Sequence, residues 1–127
     1  MPKTVKDMLE AANAAVPRIT QEKARELMAA GNVLMLDVRD ANEVAAAGKI
    51  PGAVNVSRGM LEFRADPTSP HHDKRFDPST EVIVYCASGG RSALSGMVLQ
   101  EMGYTKVHNL GGFKDWIEGG GAVEKAG

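Results

Sequence analysis

The chain has a single cysteine, at position 86, so no disulfide can form within it and one thiol is left free for chemistry. A long apolar run is also missing. The longest, Asn32 to Val38, falls far short of the roughly 20 residues that cross a bilayer, and no membrane partner is expected. Charge of one sign is scarce: 15 Lys and Arg stand against 16 Asp and Glu, a net charge of -1 that creates no field to draw nucleic acid. Spaced metal ligands are absent as well. His71-His72-Asp73 sets two adjacent histidines in a Pro-rich stretch without a third ligand, which reads as a solvated loop, so neither a metal nor a cofactor is expected. The first residues, Met1 to Glu10, carry charges where a secretory signal has its apolar stretch. Together with the lone thiol, this makes a cytoplasmic protein the expectation.

At 127 residues the chain is the size of one domain. Thr4 to Val16 predicts an amphipathic helix, with Thr4 as N-cap, apolar residues at helical spacing and Pro17 as its stop. After the short extended piece Arg18-Ile19, a helix is expected over Gln21 to Ala30, closed by Gly31, then a strand over Val33 to Val38 that is apolar enough to be buried on both faces. Asp40 can cap a helix from Ala41 to Ala47, and a short strand centres on Val54-Asn55-Val56. Ser57 to Thr80 is a long polar connection holding three of the six prolines, with one helical turn near Met60 to Phe63. A strand over Glu81 to Cys86, a helix over Ser92 to Met102, a strand over Lys106 to Asn109 and a helix over Phe113 to Glu118 complete the pattern. Alternating strands and helices argue for an α/β domain with a mostly parallel sheet and helices on both faces. Residues 1–16 are expected to be a helical extension, 17–118 the domain and 119–127 a Gly-rich tail.

The chemistry concentrates at the junction Cys86-Ala87-Ser88-Gly89-Gly90-Arg91-Ser92, between a strand and a helix. Two glycines let successive amides converge, so the loop can form an anion-binding nest at a helix N-terminus. Such a field favours thiolate over thiol. A lone cysteine at a strand end is more often a small buried hydrophobe, but a core cysteine needs no polar, Gly-rich loop after it.

This loop resembles the active-site loop of the rhodanese family. Leu36-Asp37-Val38-Arg39 with Glu43, followed by Gly48-Lys49-Ile50-Pro51-Gly52-Ala53-Val54-Asn55, resembles the family's first signature, and Leu110-Gly111-Gly112-Phe113 with Trp116 its C-terminal one. The resemblance implies a three-layer α/β/α domain with a five-stranded parallel sheet in the order 3-2-4-5-1, the active loop following the fourth strand. It implies a sulfurtransferase in which Cys86 carries sulfur as a persulfide, with Ala87, Ser88, Gly89, Gly90, Arg91 and Ser92 binding a small sulfur-containing anion such as thiosulfate. The acceptor would be cyanide in vitro and a thiol or a sulfur-carrier protein in the cell. Asp37 and Arg39 would lie beside the loop in a supporting role, with Arg39 free to pair with Glu43 one turn away; Gly111-Gly112 and Trp116 read as turn and packing residues.

Two rival functions stay open. Cell-cycle phosphatases and arsenate reductases share the fold and a cysteine loop ending in Arg-Ser, but their loop is longer by one residue than the Ala87-to-Gly90 spacing here. A sulfur-relay or regulatory module loaded by protein partners is the other. Many thiosulfate-using members carry a cation directly after the cysteine, where this chain has Ala87.

Overall fold

The structure, a computed structural model, describes residues 2–125; Met1, Ala126 and Gly127, at the ends of the expected extension and tail, lie outside the described residues. Helices α1 (Val5–Ala15) and α2 (Gln21–Ala30) lead into strand β1 (Val33–Asp37), then α3 (Ala41–Ala47) and the two-residue strand β2 (Val54–Asn55). A 3-10 turn over Arg58–Met60 runs into α4 (Leu61–Ala65), and β3 (Glu81–Cys86), α5 (Gly90–Glu101), β4 (Val107–Gly112) and α6 (Phe113–Glu118) follow. The caps are those the sequence offers: Thr4 and Asp7 form a reciprocal capping box on α1, Asp40 and Glu43 another on α3, and the Thr20 side chain accepts the Lys23 amide.

The sheet is parallel, with four strands in the order β2-β1-β3-β4, not five in the order 3-2-4-5-1. The expected first strand is reduced to one bridge: beyond β4, Arg18 pairs with Asn109 alone, through Ile19 N–H to Asn109 O at 3.1 Å and Asn109 N–H to Pro17 O at 2.9 Å. Squeezed between Pro17, which has no N–H to donate, and Thr20, which caps α2, this segment is too short to build a ladder. Two other boundaries move. The fifth helix begins at Gly90 rather than Ser92, and the last strand runs on to Gly112 because a register shift after Val84 lets Gly111 and Gly112 pair with Tyr85 and Cys86.

Alternate side chains divide between two cores. Leu34, Leu36, Val82, Val84 and Cys86 face one layer, with Leu99 of α5, Val16 and Tyr104; Met35, Ile83 and Tyr85 face the other, with Ala24 of α2 and with Phe113 and Trp116 of α6. The period of two therefore puts Cys86 on the α5 side, at the carboxyl end of a central strand, where open α/β sheets place their ligands. After α6 the chain returns to the body: Trp116 Nε1–H donates to Ala122 O at 2.8 Å, and Glu124 pairs with Lys49 by backbone bridge and ion pair. Among the described residues no helix is long and apolar enough to cross a membrane.

Candidate active site

Cys86 ends β3 with its side chain 1% exposed. The chain then turns through Ala87, Ser88 and Gly89, and Gly89 takes φ +106°, a left-handed conformation that an L side chain resists, so that α5 can start at once. This aims free helix-start amides at the sulfur: Gly89 N–H donates to Cys86 Sγ at 3.0 Å and Ser92 N–H at 3.4 Å. The Ser92 hydroxyl lies 3.5 Å from the same sulfur. Burial raises the thiol pKa, but bonds from the Ser92 side chain and from the amides of Ser92, Gly89 and Ser88 outweigh it, and the net shift is downward, toward thiolate.

The end of β4 forms the back of the loop. A Cβ on Gly112 would stand 2.6 Å from Ala87 O and 3.0 Å from Ser88 Cα, so only glycine allows this approach. Asn109 Oδ1 accepts from the Ser92 hydroxyl at 2.8 Å and from Gly111 N–H at 2.9 Å, tying loop and strand together. Neither contact was read from the sequence. Gly112 was legible only as a turn, and Asn109 carried no signal, since its partner lies 17 residues away.

Arg91 makes no hydrogen bond to the sulfur. Its two terminal nitrogens bind Glu43 of α3 in a fork, Nη1 to Oε1 at 2.6 Å and Nη2 to Oε2 at 2.9 Å. The guanidinium hydrogen bond, with help from the Asp40 amide, holds the Glu43 carboxyl down at about 2. The expected Arg39–Glu43 pair is therefore replaced. Arg39 turns inward instead, to Asp37: Nε reaches Oδ1 at 3.0 Å, and Nη2 reaches Oδ2 at 2.7 Å and Gly48 O at 2.7 Å. Both residues are buried, and the guanidinium stacks 4.4 Å over the Phe113 ring. This pair stitches the β1–α3 turn to the end of α3, and neither side chain contacts Cys86.

Beside the loop opens a pocket of about 410 Å³, lined by Ala47, Ala87, Phe113, Ile117 and the charged Arg39, Glu43 and Lys114. A larger cavity of about 590 Å³ at the opposite end of β1 and β3 is lined by Asn32, Thr80, Glu81 and Lys106, away from Cys86. His71 and His72 stay apart from the site, His72 bonding Phe76 O at 3.0 Å, and among the described residues no cluster could hold a metal. The arrangement thus offers one ionisable sulfur in a cradle of backbone donors, suited to holding negative charge on that sulfur or on an anion bound beside it.

The sequence pattern of the Rhodanese-like domain matches residues 20–118. The thiosulfate:glutathione sulfurtransferase of Homo sapiens is 31% identical over 114 residues, which span 83% of this chain and 96% of that protein. Among solved structures, a protein of unknown function from Rhodopseudomonas palustris, described as a possible tyrosine phosphatase, superposes with a TM-score of 0.86 at 39% identity, covering 98% of this chain and 99% of its own. The polysulfide-sulfur transferase of Wolinella succinogenes superposes with a TM-score of 0.76 at 30% identity, covering 95% and 87% of the two chains.

Proposed function

Because the chain belongs to the rhodanese-like sulfurtransferase family, we propose that it moves a sulfane sulfur from a donor to a thiophilic acceptor through a persulfide on Cys86. The observation that carries this reading is the pair of amides, from Gly89 and Ser92, that converge on Cys86 Sγ. The Cys86 thiolate attacks the outer sulfur of the donor, the donor's own S–S bond breaks, and the remainder leaves with the electron pair, as sulfite when the donor is thiosulfate. An acceptor nucleophile then attacks the outer sulfur of the persulfide, and Cys86 departs as thiolate. No general base is needed, because the amides of the loop hold the charge in place.

Two features favour a donor other than thiosulfate. Ala87 puts no cation after the cysteine, and Arg91 is already neutralised by Glu43, so a doubly charged donor meets backbone amides without a free guanidinium. Polysulfide sulfur, or sulfur delivered by a carrier protein, has less need of one, and a relay module loaded by a partner is the second reading. The Arg91–Glu43 pairing and the short loop both weigh against a phosphatase, whose arginine must face the phosphate.

Intact-mass measurement after exposure to polysulfide or thiosulfate tests the proposal. A gain of one sulfur atom, reversed by reductant or cyanide and absent in Cys86→Ser, is the expected result. Turnover by the serine variant, or no gain with either donor, would overturn it. Loading without cyanide turnover would favour the relay reading.

A further inference from the structure

The sulfur chemistry gives no task to Asn109, a polar residue of β4 that is 1% exposed. Its orientation is fixed by chemistry. The Gly111 amide can only donate, so the atom it meets at 2.9 Å is the carbonyl oxygen Oδ1. That oxygen can only accept, so the Ser92 hydroxyl, 2.8 Å away, points its proton there. The one other acceptor within reach is Gly89 O at 3.0 Å. With its proton so engaged, the hydroxyl presents lone pairs to Cys86 Sγ at 3.5 Å and receives the S–H of the thiol. A thiolate has the opposite need, and the hydroxyl can donate to it only by leaving Asn109.

We propose that Asn109 is a positioning residue that keeps the Ser92 hydroxyl proton off the sulfur while Cys86 is a thiol and yields it when Cys86 ionises, so that Asn109 sets the pH at which the nucleophile appears. The hydroxyl turns about its Cβ–Oγ bond and no bond breaks there; the one proton released is the thiol's own, which passes to water. In the persulfide the inner sulfur is neutral and the hydroxyl proton returns to Asn109. The charged groups bordering the loop are Arg91 of α5 with Glu43 of α3 on it, Asp40 before α3, the Asp37–Arg39 pair after β1, Lys114 of α6, and Arg18, whose guanidinium lies against Gly111 and donates to Leu110 O at 3.4 Å. His108 of β4 pairs with Glu81 at the far end of the sheet, and α1 brings only apolar Leu9 against Gly90. Carboxylates, Arg and Lys keep one charge across neutral pH, which leaves the Ser92–Asn109 bond as the element that changes with Cys86.

The proposal rests on Cys86 as the reacting group, and its test uses the rate of iodoacetamide alkylation against pH on the full chain, with no sulfur donor present. Asn109→Leu removes the competing acceptor and is expected to lower the alkylation midpoint by about 0.5–1 pH unit. Asn109→Asp keeps both acceptor bonds, grips the proton harder and adds charge, and is expected to raise the midpoint by about one unit or more. In a Ser92→Ala background the leucine effect should vanish and the aspartate effect should fall to less than about half. Should the leucine variant fail to fold, the aspartate pair alone decides. Equal shifts with and without Ser92, no shift, or an upward shift for leucine would overturn the proposal. A failure of sulfur transfer, by contrast, would leave these profiles untouched.

Discussion

Replacing Arg39 by alanine removes the main partner of a carboxylate that is fully buried: Asp37 is 0% exposed. Asp37 loses the fork of Nε and Nη2, at 3.0 and 2.7 Å, and keeps the residue-39 amide at 3.0 Å and the neighbouring Tyr85 hydroxyl. Gly48 O loses its donor at 2.7 Å, and the stacking on Phe113 goes with it. Breaking a buried pair by removing one partner costs about 3–5 kcal/mol. The retained amide argues for the lower part of that range, about 3–4 kcal/mol. For a urea dependence of about 1.5 kcal/mol per molar, the midpoint should fall by about 2–2.7 M. The single tryptophan, Trp116, is buried in the core of the α2 and α6 layer and reports the transition by fluorescence. A fall below about 0.5 M would refute the pair's structural weight. Sulfur transfer per folded molecule should stay within about threefold of the parent. A well-folded Arg39→Ala protein without activity would instead assign the guanidinium to substrate binding.

Gly112→Ala should push the backbone of Ala87 and Ser88 out of place, since the new Cβ would stand 2.6 Å from Ala87 O. Turnover should fall by about tenfold or more and stability by about 1–3 kcal/mol; an unchanged variant would show that the loop does not need this contact. Glu43→Gln frees Arg91, and the Michaelis constant for thiosulfate should drop by about threefold to tenfold with little change for a polysulfide donor. Equal changes for both donors would refute the charge argument. The same variant tests the pH dependence of stability, because the Glu43 carboxyl is held at about 2 in the folded chain, below its ordinary 4.5. The pair's contribution is then present above about pH 4.5 and lost as pH falls toward 2; the two side chains are about one third exposed, and solvent screening limits it to about 1 kcal/mol or less. A gap in urea midpoint between parent and variant that stays constant from pH 6 to about pH 2 would contradict this assignment.

Local chemistry made much of this protein legible in its sequence. Thr4 and Thr20 start helices because their side-chain oxygens meet free amides within three residues, Asp40 because the Glu43 carboxylate reaches back to its amide, and the Gly-rich run after Cys86 marks a strand-to-helix junction for the same kind of local reason. The alternation of Leu34, Met35 and Leu36, and of Val82 to Cys86, already assigns each side chain to one face of a buried strand. Boundaries were less legible. Gly90 and Arg91 read as loop but belong to α5, since their helical angles follow from the left-handed turn at Gly89 rather than from their own propensity.

What only the tertiary structure decided is how residues far apart in the chain meet. Sequence spacing suggested that Arg39 would pair with Glu43, four residues away. Folding gave Glu43 to Arg91, 48 residues away, and turned Arg39 into the core, where Asp37 and Gly48 supply acceptors that no exposed partner could match. In the same way Arg18-Ile19 was legible as a short extended piece, but only the fold showed that the distance between α1 and α2 leaves room for a single bridge to Asn109. Asn109 and Gly112 became part of the cysteine loop only because β4 pairs with β3 in a register shifted after Val84. The sequence by itself determined where the cysteine stands, the loop that cradles it and the class of fold, since each depends on neighbours within a turn or a strand. The residues that gather around that loop depend on strand register and helix packing, and those are settled only when the whole chain closes around its sheet.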